Sequence, residues 1–188
     1  MTLISNKKLS PGNLQRKFFF LFNTHLGSKR SFRNKEMDEY LFGFDNLFTS
    51  IFHVEKTMYL LKRALKFLAL VSKNPKNQIL FVGTGTKSKK ITKFLGEATN
   101  QTYVHHRWVK GLLTNWENIS SSIKFYKLFL KKLSLSRKRE HQMVQTFKGI
   151  SNLNKLPSIV FILDIQANFD VLLEARKLKI PTIAIVDN

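Results

Sequence analysis

Short apolar runs that alternate with segments of helical periodicity restrict the fold of this chain more than any other feature. The run Ile79–Val82 contains no polar residue and is closed by Gly83, which is typical of a buried parallel strand leading into a glycine turn. Tyr103–Val104, Ser158–Asp164 and Ile180–Asp187 are the further strand candidates, and helical patterns separate them. Parallel strands need crossovers of this kind. The sequence therefore predicts an α/β fold in which helices flank a parallel sheet.

The N-terminal part of the chain predicts a helix followed by a basic loop. After a tail of residues 1–9, Ser10 suits a helix cap and Pro11 the first helical position, and the helix is predicted to reach Phe22. Residues 28–35 are strongly basic and have no hydrophobic period. We expect them to form a loop.

A β-hairpin and a long helix are predicted next. Tyr40–Phe44 and Leu47–Phe52 are aromatic-rich runs separated by a short polar turn at Asp45, a pattern that indicates a hairpin. Apolar side chains in residues 60–69 then recur at helical spacing, and this helix should end near Ser72.

A helical hairpin is predicted in the second half of the chain. Asn115 suits a helix cap, and apolar residues follow at helical spacing up to Leu133. A break then leads into a basic helix from Arg137 to about Ile150. Two antiparallel helices with a short link form a hairpin inserted into the α/β domain. The predicted boundaries are residues 10–115 for the first part of the α/β domain, 116–152 for the hairpin and 153–188 for the second part.

The charge of the chain points to a polyanionic partner. Lys and Arg number 32 against 12 Asp and Glu, which gives a formal net charge of +20 over 188 residues. No apolar run is long enough to span a bilayer, so no membrane partner is predicted. The absence of cysteine excludes disulfides, thiol catalysis and cysteine-ligated zinc, and the five histidines lack helical His-x-x-x-His spacing. We therefore expect no metal and no cofactor.

The glycine turn after the first parallel strand does not match the common nucleotide-binding motifs. A P-loop requires a glycine directly before Lys87, where this chain has Thr86, and a dinucleotide fingerprint requires a third glycine where it has Ser88. Nucleotide binding is therefore not predicted. Lys87, Lys89 and Lys90 are still placed to hold an RNA phosphate, although they would also suit a solvated helix start.

The stretch from Tyr103 to Trp116 contains both tryptophans of the chain among cationic and amide side chains. Arg107 and Lys110 suit contacts with phosphates, and Trp108 suits stacking on a base or ribose. The alternative is that the tryptophans are core anchors and the charges form a solvated rim.

The string His106–Trp108, followed by Gly111–Trp116, closely resembles the signature of the universal small-subunit ribosomal protein two family. The C-terminal part resembles the family in the same order at Asp164, Asn168, Leu172, Glu174, Ile180 and Pro181. The resemblance covers residues 14–188. It implies a flavodoxin-like sheet without a cofactor and an inserted helical hairpin. It also implies a structural role at the junction of head and body of the small subunit, bound to rRNA and neighbouring ribosomal proteins.

The charge pattern and the resemblance together predict a set of RNA-contacting side chains. They are Arg30, Arg33, Lys35, Lys87, Lys89, Lys90, Arg107, Trp108, Lys110, Asn115, Arg137 and Arg139. No catalytic residue is predicted. The alternatives are a small α/β enzyme acting on nucleotides or RNA through Asp164, Asp187 and the Gly83 turn, and a free basic RNA chaperone. In the first alternative the acids act on substrate, whereas a structural role would have them cap the following helix or turn.

Residue usage and length lead to two further predictions. Seventeen Phe residues, with many Lys, Asn and Ile, are typical of AT-rich genes. With no transit peptide at the N-terminus, this usage favours a mitochondrion-encoded protein of the mitoribosome, with a plastid or a bacterial cytoplasm as the alternatives. Family members usually continue through a further strand and helix. A truncated gene, a separate polypeptide that completes the fold, or loss of that part would each explain the difference.

Overall fold

The computed structural model describes residues 17, 19–32, 34–130 and 144–187, which form two compact units. The first unit comprises the described residues up to Lys66 together with Asp187, and the second comprises Phe67–Val186. The boundary falls within helix α1, Val54–Ser72, whose extent agrees with the prediction. In the part of the chain described, no helix has the length and apolar character needed to cross a membrane.

The first unit is built on the strands β1 Leu26–Lys29, β2 Leu41–Phe44 and β3 Thr49–Phe52, with 3-10 helices at Arg30–Phe32 and Lys35–Tyr40. The strands form an antiparallel sheet with the order β1-β3-β2. The predicted hairpin is confirmed, since β2 and β3 pair and Asp45 Oδ1 accepts the backbone N–H groups of Leu47 at 2.9 Å and Thr49 at 2.7 Å.

The basic loop predicted for residues 28–35 is wrong in part. Leu26 and Lys29 pair with Ile51 and Thr49 of β3, and the N–H of Arg30 donates to the carbonyl of Phe48 at 2.8 Å. This pairing supplies backbone hydrogen bonds that override a composition unfavourable to a strand. Of the predicted N-terminal helix, residues 17 and 19–21 are helical, and residues 10–16 and 18 lie outside the described residues.

The second unit confirms the predicted α/β fold. Its strands are β4 Ile79–Val82, β5 Thr102–Val104, β6 Ile159–Ile162 and β7 Thr182–Ala184. These four strands form a parallel sheet with the order β5-β4-β6-β7, flanked by helices in a flavodoxin-like arrangement. The helices are α2 Ser88–Thr99, α3 Trp116–Leu130 and α4 Phe169–Lys177, with 3-10 helices at Lys148–Ile150 and Gln166–Asn168.

Side chains of the central strand β4 are buried on both faces of the sheet. Leu80 and Val82 belong to one apolar cluster, and Ile79 and Phe81 belong to another, as the two-residue period of a strand requires. Each fully buried aliphatic side chain contributes about 1.5–3 kcal/mol. The uninterrupted apolar run in the sequence is therefore explained by a layer of structure on each face.

The predicted helical hairpin is described only in part. Helix α3 begins at Trp116 as expected. Residues 131–143, with Arg137 and Arg139, lie outside the described residues, whereas residues 144–147 are helical. The ring of Phe147 lies 5.8 Å from that of Tyr126, so the chain returns alongside α3. The domain boundaries of the insertion stay a prediction.

The segment that follows residues 144–147 packs tightly against strand β5. Gly149 is buried, and a Cβ at this position would meet the backbone carbonyl oxygen and the ring of Tyr103. Only a residue without a side chain allows this close approach.

We expect Gly149→Ala to destabilise the fold by about 1–3 kcal/mol, because the added methyl forces the backbone of β5 away from the 3-10 helix. Urea unfolding followed by circular dichroism measures the change. Gly43→Ala is the matched control, since a Cβ there has no atom within 4 Å. Equal stability of the two variants would contradict the close approach.

Candidate nucleic-acid interface

The loop between β5 and α3, residues 105–115, has an apolar inner side and a cationic outer side. Leu112 and Leu113 are each only 1% exposed and join the main core cluster. His106, Arg107 and Lys110 are exposed. The loop therefore presents its cations at the carboxyl end of the parallel sheet, which is the edge where α/β folds place ligand-binding groups.

A buried carboxylate of α4 accepts hydrogen bonds from the inner side of this loop. Glu174 is 9% exposed, and its Oε1 accepts the indole N–H of Trp108 at 3.0 Å and the backbone N–H of Gly111 at 2.8 Å. Oε2 accepts the backbone N–H groups of Leu113 at 3.0 Å and Thr114 at 3.4 Å. These donors satisfy a charge whose burial would otherwise be costly. Gly111 has φ +86°, a conformation that favours glycine.

The sequence presents Glu174 only as part of the family pattern and does not predict this contact. The available signal was an acid on the face of α4 that also carries the buried Val171 and Ala175. A carboxylate on an apolar helix face indicates a set of donors elsewhere in the fold. The sequence could not show that they lie 60 to 66 residues away in the chain.

Trp108 has a structural contact in this arrangement. Its indole N–H is taken by Glu174, and its ring is partly buried against the main core. Trp116 also packs against that core. The geometry supports the core-anchor alternative, and stacking of Trp108 on RNA stays a prediction. Asn115 precedes α3 as expected, and its carbonyl accepts the N–H of Ile119 at 3.1 Å.

A second cationic segment follows the neighbouring strand β4. Lys87 and Lys90 are exposed and Lys89 is half-buried at the start of α2. The N–H of Gly83 donates to the carbonyl of Val104 at 3.0 Å, which joins the end of β4 to the end of β5. The structure thus places the lysines of α2 and the loop after β5 at the same edge of the sheet.

Polar side chains of the protein itself occupy the edge of the sheet between the ends of β4 and β6. The Asp164 carboxylate lies against Gly85, and its Oδ1 accepts the N–H of Ala167 at 3.2 Å. The Thr84 hydroxyl donates to Asn168 Oδ1 at 2.9 Å, and Asn168 Nδ2 donates to the Asp164 carbonyl at 2.7 Å. A carboxylate in this position repels a phosphate. Asp164 therefore acts as a cap of the following turn, which is the structural alternative stated for it.

The remaining predicted site residues lie in the first unit or outside the described residues. Arg30 is exposed with its guanidinium 5.3 Å from the ring centroid of Phe44, and Lys35 is exposed at the start of a 3-10 helix. Arg33 is outside the described residues, as are Arg137 and Arg139.

Comparisons with known proteins agree on one family. The family model for Ribosomal protein S2 matches residues 21–188. The small ribosomal subunit protein uS2 of Marinobacter nauticus is 34% identical over 176 residues, 87% of this chain and 70% of that protein. That of Neorickettsia sennetsu is 34% identical over 184 residues (91% and 61%), and that of Acinetobacter baylyi is 35% identical over 178 residues (87% and 70%).

The chain belongs to the ribosomal protein S2 family. Membership makes it a structural ribosomal protein of the small subunit that serves translation, and it rules out the alternative of a small α/β enzyme. The chain spans 61 to 70% of the length of the three relatives described above.

His105 lies near Lys93, His106 and Lys148, of which only His106 is its neighbour in the sequence. Its ring centroid is 5.4 Å from that of Tyr103, whose hydroxyl donates to Glu97 Oε1 at 3.1 Å. Burial lowers the pKa of His105, and the positive charges of Lys93 and then of His106 and Lys148 lower it further, against an opposing effect of Glu97. Burial and the Glu97 hydrogen bond raise the pKa of Tyr103 to about 12. Lys148 is a cation near His105 that was not predicted from the sequence.

The lowered pKa of His105 predicts a pH-dependent stability. Its folded-state pKa lies below the ordinary value of 6.5, so its contribution is present above that pH and is lost as the pH falls through the folded-state pKa. We expect the free energy of unfolding to fall more between about pH 7.5 and about pH 5.5 in wild type than in His105→Gln. The control His106→Gln removes one of the charges that lower the pKa of His105 but leaves burial, the largest cause, and should keep most of the loss. Identical pH profiles for wild type and His105→Gln would contradict the assignment.

Proposed function

We propose that the chain binds small-subunit rRNA through the cationic carboxyl edge of its parallel sheet. The observation that carries the proposal is the joint placement of Arg107 and Lys110 in the loop after β5 with Lys87 and Lys90 at the start of α2. The net charge of +20 supplies the attraction, and the rigid sheet fixes the spacing of the cations. Arg30, Arg33, Lys35, Lys89, Trp108, Asn115, Arg137 and Arg139 complete the proposed contact set.

The proposed mechanism is adhesive. Each ammonium or guanidinium group that meets a phosphate releases condensed counterions, so affinity falls as salt rises. Lys110 Nζ lies 3.4 Å from Asp170 Oδ2, and both side chains are largely exposed at 84% and 51%. An exposed pair of this kind is worth about 0–1 kcal/mol. A phosphate can therefore replace Asp170 as the partner of Lys110 at little cost.

The family resemblance is the basis for the proposed place of binding and for the proposed partners. We propose the junction of head and body of the small subunit, with rRNA and adjacent small-subunit proteins as partners. A separate polypeptide that completes the family's fold stays a prediction.

The Phe-rich residue usage supports an organellar, mitochondrion-encoded origin. The relatives described above are bacterial, which supports the bacterial cytoplasm as the second candidate. The genome that carries the gene decides between them.

Removal of the proposed cations should weaken RNA binding and reduce its salt dependence. For Arg107→Ala and Lys110→Ala, we expect the slope of log affinity against log salt to fall by about 0.9 for each lost phosphate contact. Filter binding to a small-subunit rRNA transcript across a salt series measures it. Lys155→Ala is the matched control because it removes one charge near the amino end of β6. The proposal fails if all three variants show the wild-type slope.

Removal of the competing acid should have the opposite effect. Asp170→Asn frees Lys110, so we expect about twofold to fivefold tighter rRNA binding. The gain should vanish in the double variant Asp170→Asn with Lys110→Ala, compared with Lys110→Ala alone. A gain that persists without Lys110 would show that Asp170 acts through general repulsion instead.

A further inference from the structure

We infer that Glu174 is a positioning residue for rRNA binding, which it serves by fixing the loop 105–115 in the shape that presents Arg107 and Lys110. The inference rests on the proposed rRNA-binding function. It adds a residue that itself does not reach RNA, since the Glu174 side chain is buried and its acceptors face the interior side of the loop.

The hydrogen bonds of Glu174 flank Lys110 and begin at Trp108, the residue that directly follows Arg107. Trp108 and Gly111 donate to Oε1, one on each side of Lys110. Leu113 and Thr114 donate to Oε2 and fix the remainder of the loop up to the start of α3. One side chain therefore restrains the path of residues 108–114, and does so through three backbone N–H groups and the indole N–H of Trp108. A side chain elsewhere in the loop can vary without loss of this restraint.

Restraint of this kind matters for binding because a mobile loop must be ordered when RNA docks. Ordering costs conformational entropy, and a loop already held in the bound shape avoids that cost. Asp170, one turn earlier on α4, meets the Lys110 ammonium group at the surface, where it holds only that side chain and competes with phosphate. The two acids therefore differ in their effect: Glu174 fixes the loop, and Asp170 is exchanged for phosphate.

The opposing possibility is that Glu174 stabilises the fold alone. The two roles differ in what changes on substitution. A purely structural acid would alter the free energy of unfolding and leave the folded protein's affinity intact. A positioning acid alters affinity under conditions in which every variant remains folded.

The test is Glu174→Gln, which keeps size and shape but turns one carboxylate oxygen into an amide donor that faces loop N–H groups. Binding is measured as the Kd for small ribosomal subunits depleted of their own S2-family protein, well below the melting temperature. We expect about tenfold weaker binding, in the range typical of residues that orient a contact group. The salt dependence should equal that of wild type because no cation is removed.

Val171→Ala is the matched control. It shortens a fully buried side chain of the same helix and destabilises the core without removing a hydrogen bond to the loop. We expect its Kd to stay within about twofold of wild type. Hydrogen exchange supplies the second readout: the amides of Gly111, Leu113 and Thr114 should exchange faster in Glu174→Gln, while those of β4 stay slow.

Each outcome separates this inference from the function on which it rests. If wild type fails to bind depleted subunits, or if Arg107→Ala and Lys110→Ala bind as wild type does, the proposed function fails. If those variants weaken binding but Glu174→Gln does not, only the positioning role is overturned. Should Glu174→Gln not fold, Glu174→Asp keeps the charge and withdraws the acceptors by one methylene. An intermediate loss of affinity with a wild-type salt slope supports the role, and wild-type affinity overturns it.

Discussion

A buried negative charge in this fold is balanced by the backbone of a distant loop. Glu174 lies in the last helix described, and its donors belong to the connection that follows the second parallel strand. Neither partner is satisfied without the other, because unpaired backbone N–H groups and an unpaired carboxylate are both costly when buried. The loop after β5 therefore reaches its final shape only when α4 has docked on the sheet. Local structure in the middle of the chain depends on the C-terminal part of the second unit.

At the carboxyl edge of the parallel sheet, the acids Asp164 and Glu174 lie deeper than the basic side chains. Carboxylates of Asp164 and Glu174 face turns and loops of the protein itself, where they accept backbone N–H groups. Ammonium and guanidinium groups of Lys87, Arg107 and Lys110 are exposed at the surface. A cofactor-binding sheet of this type would use its carboxyl edge to surround a ligand. Here Asp164 and Glu174 face inward, whereas Lys87, Arg107 and Lys110 are exposed together with Asp170, the partner of Lys110.

The sequence predicted the elements that local pattern determines and missed those that depend on remote partners. Apolar runs and helical periodicity located the parallel strands and α1 because burial on a regular element imposes a period. Strand β1 was missed because its pairing with Ile51 of β3 outweighs a basic composition that favours a loop. The Glu174 contacts and the proximity of Lys148 to His105 were missed for the same reason, since neither pair is close in the chain.

The string His106–Trp116 contains two kinds of residue, those held by the interior and those exposed at the surface, and the structure separates them. Trp108, Gly111 and the adjoining leucines are fixed by the interior, through one indole N–H, one positive φ angle and two fully buried side chains. Arg107 and Lys110 have no such restraint from the core and are exposed. In this chain the inner residues of the string depend on Glu174 for their hydrogen bonds. The proposed RNA contact of the outward residues requires that the same loop is held in place, which links the proposed affinity to the docking of α4.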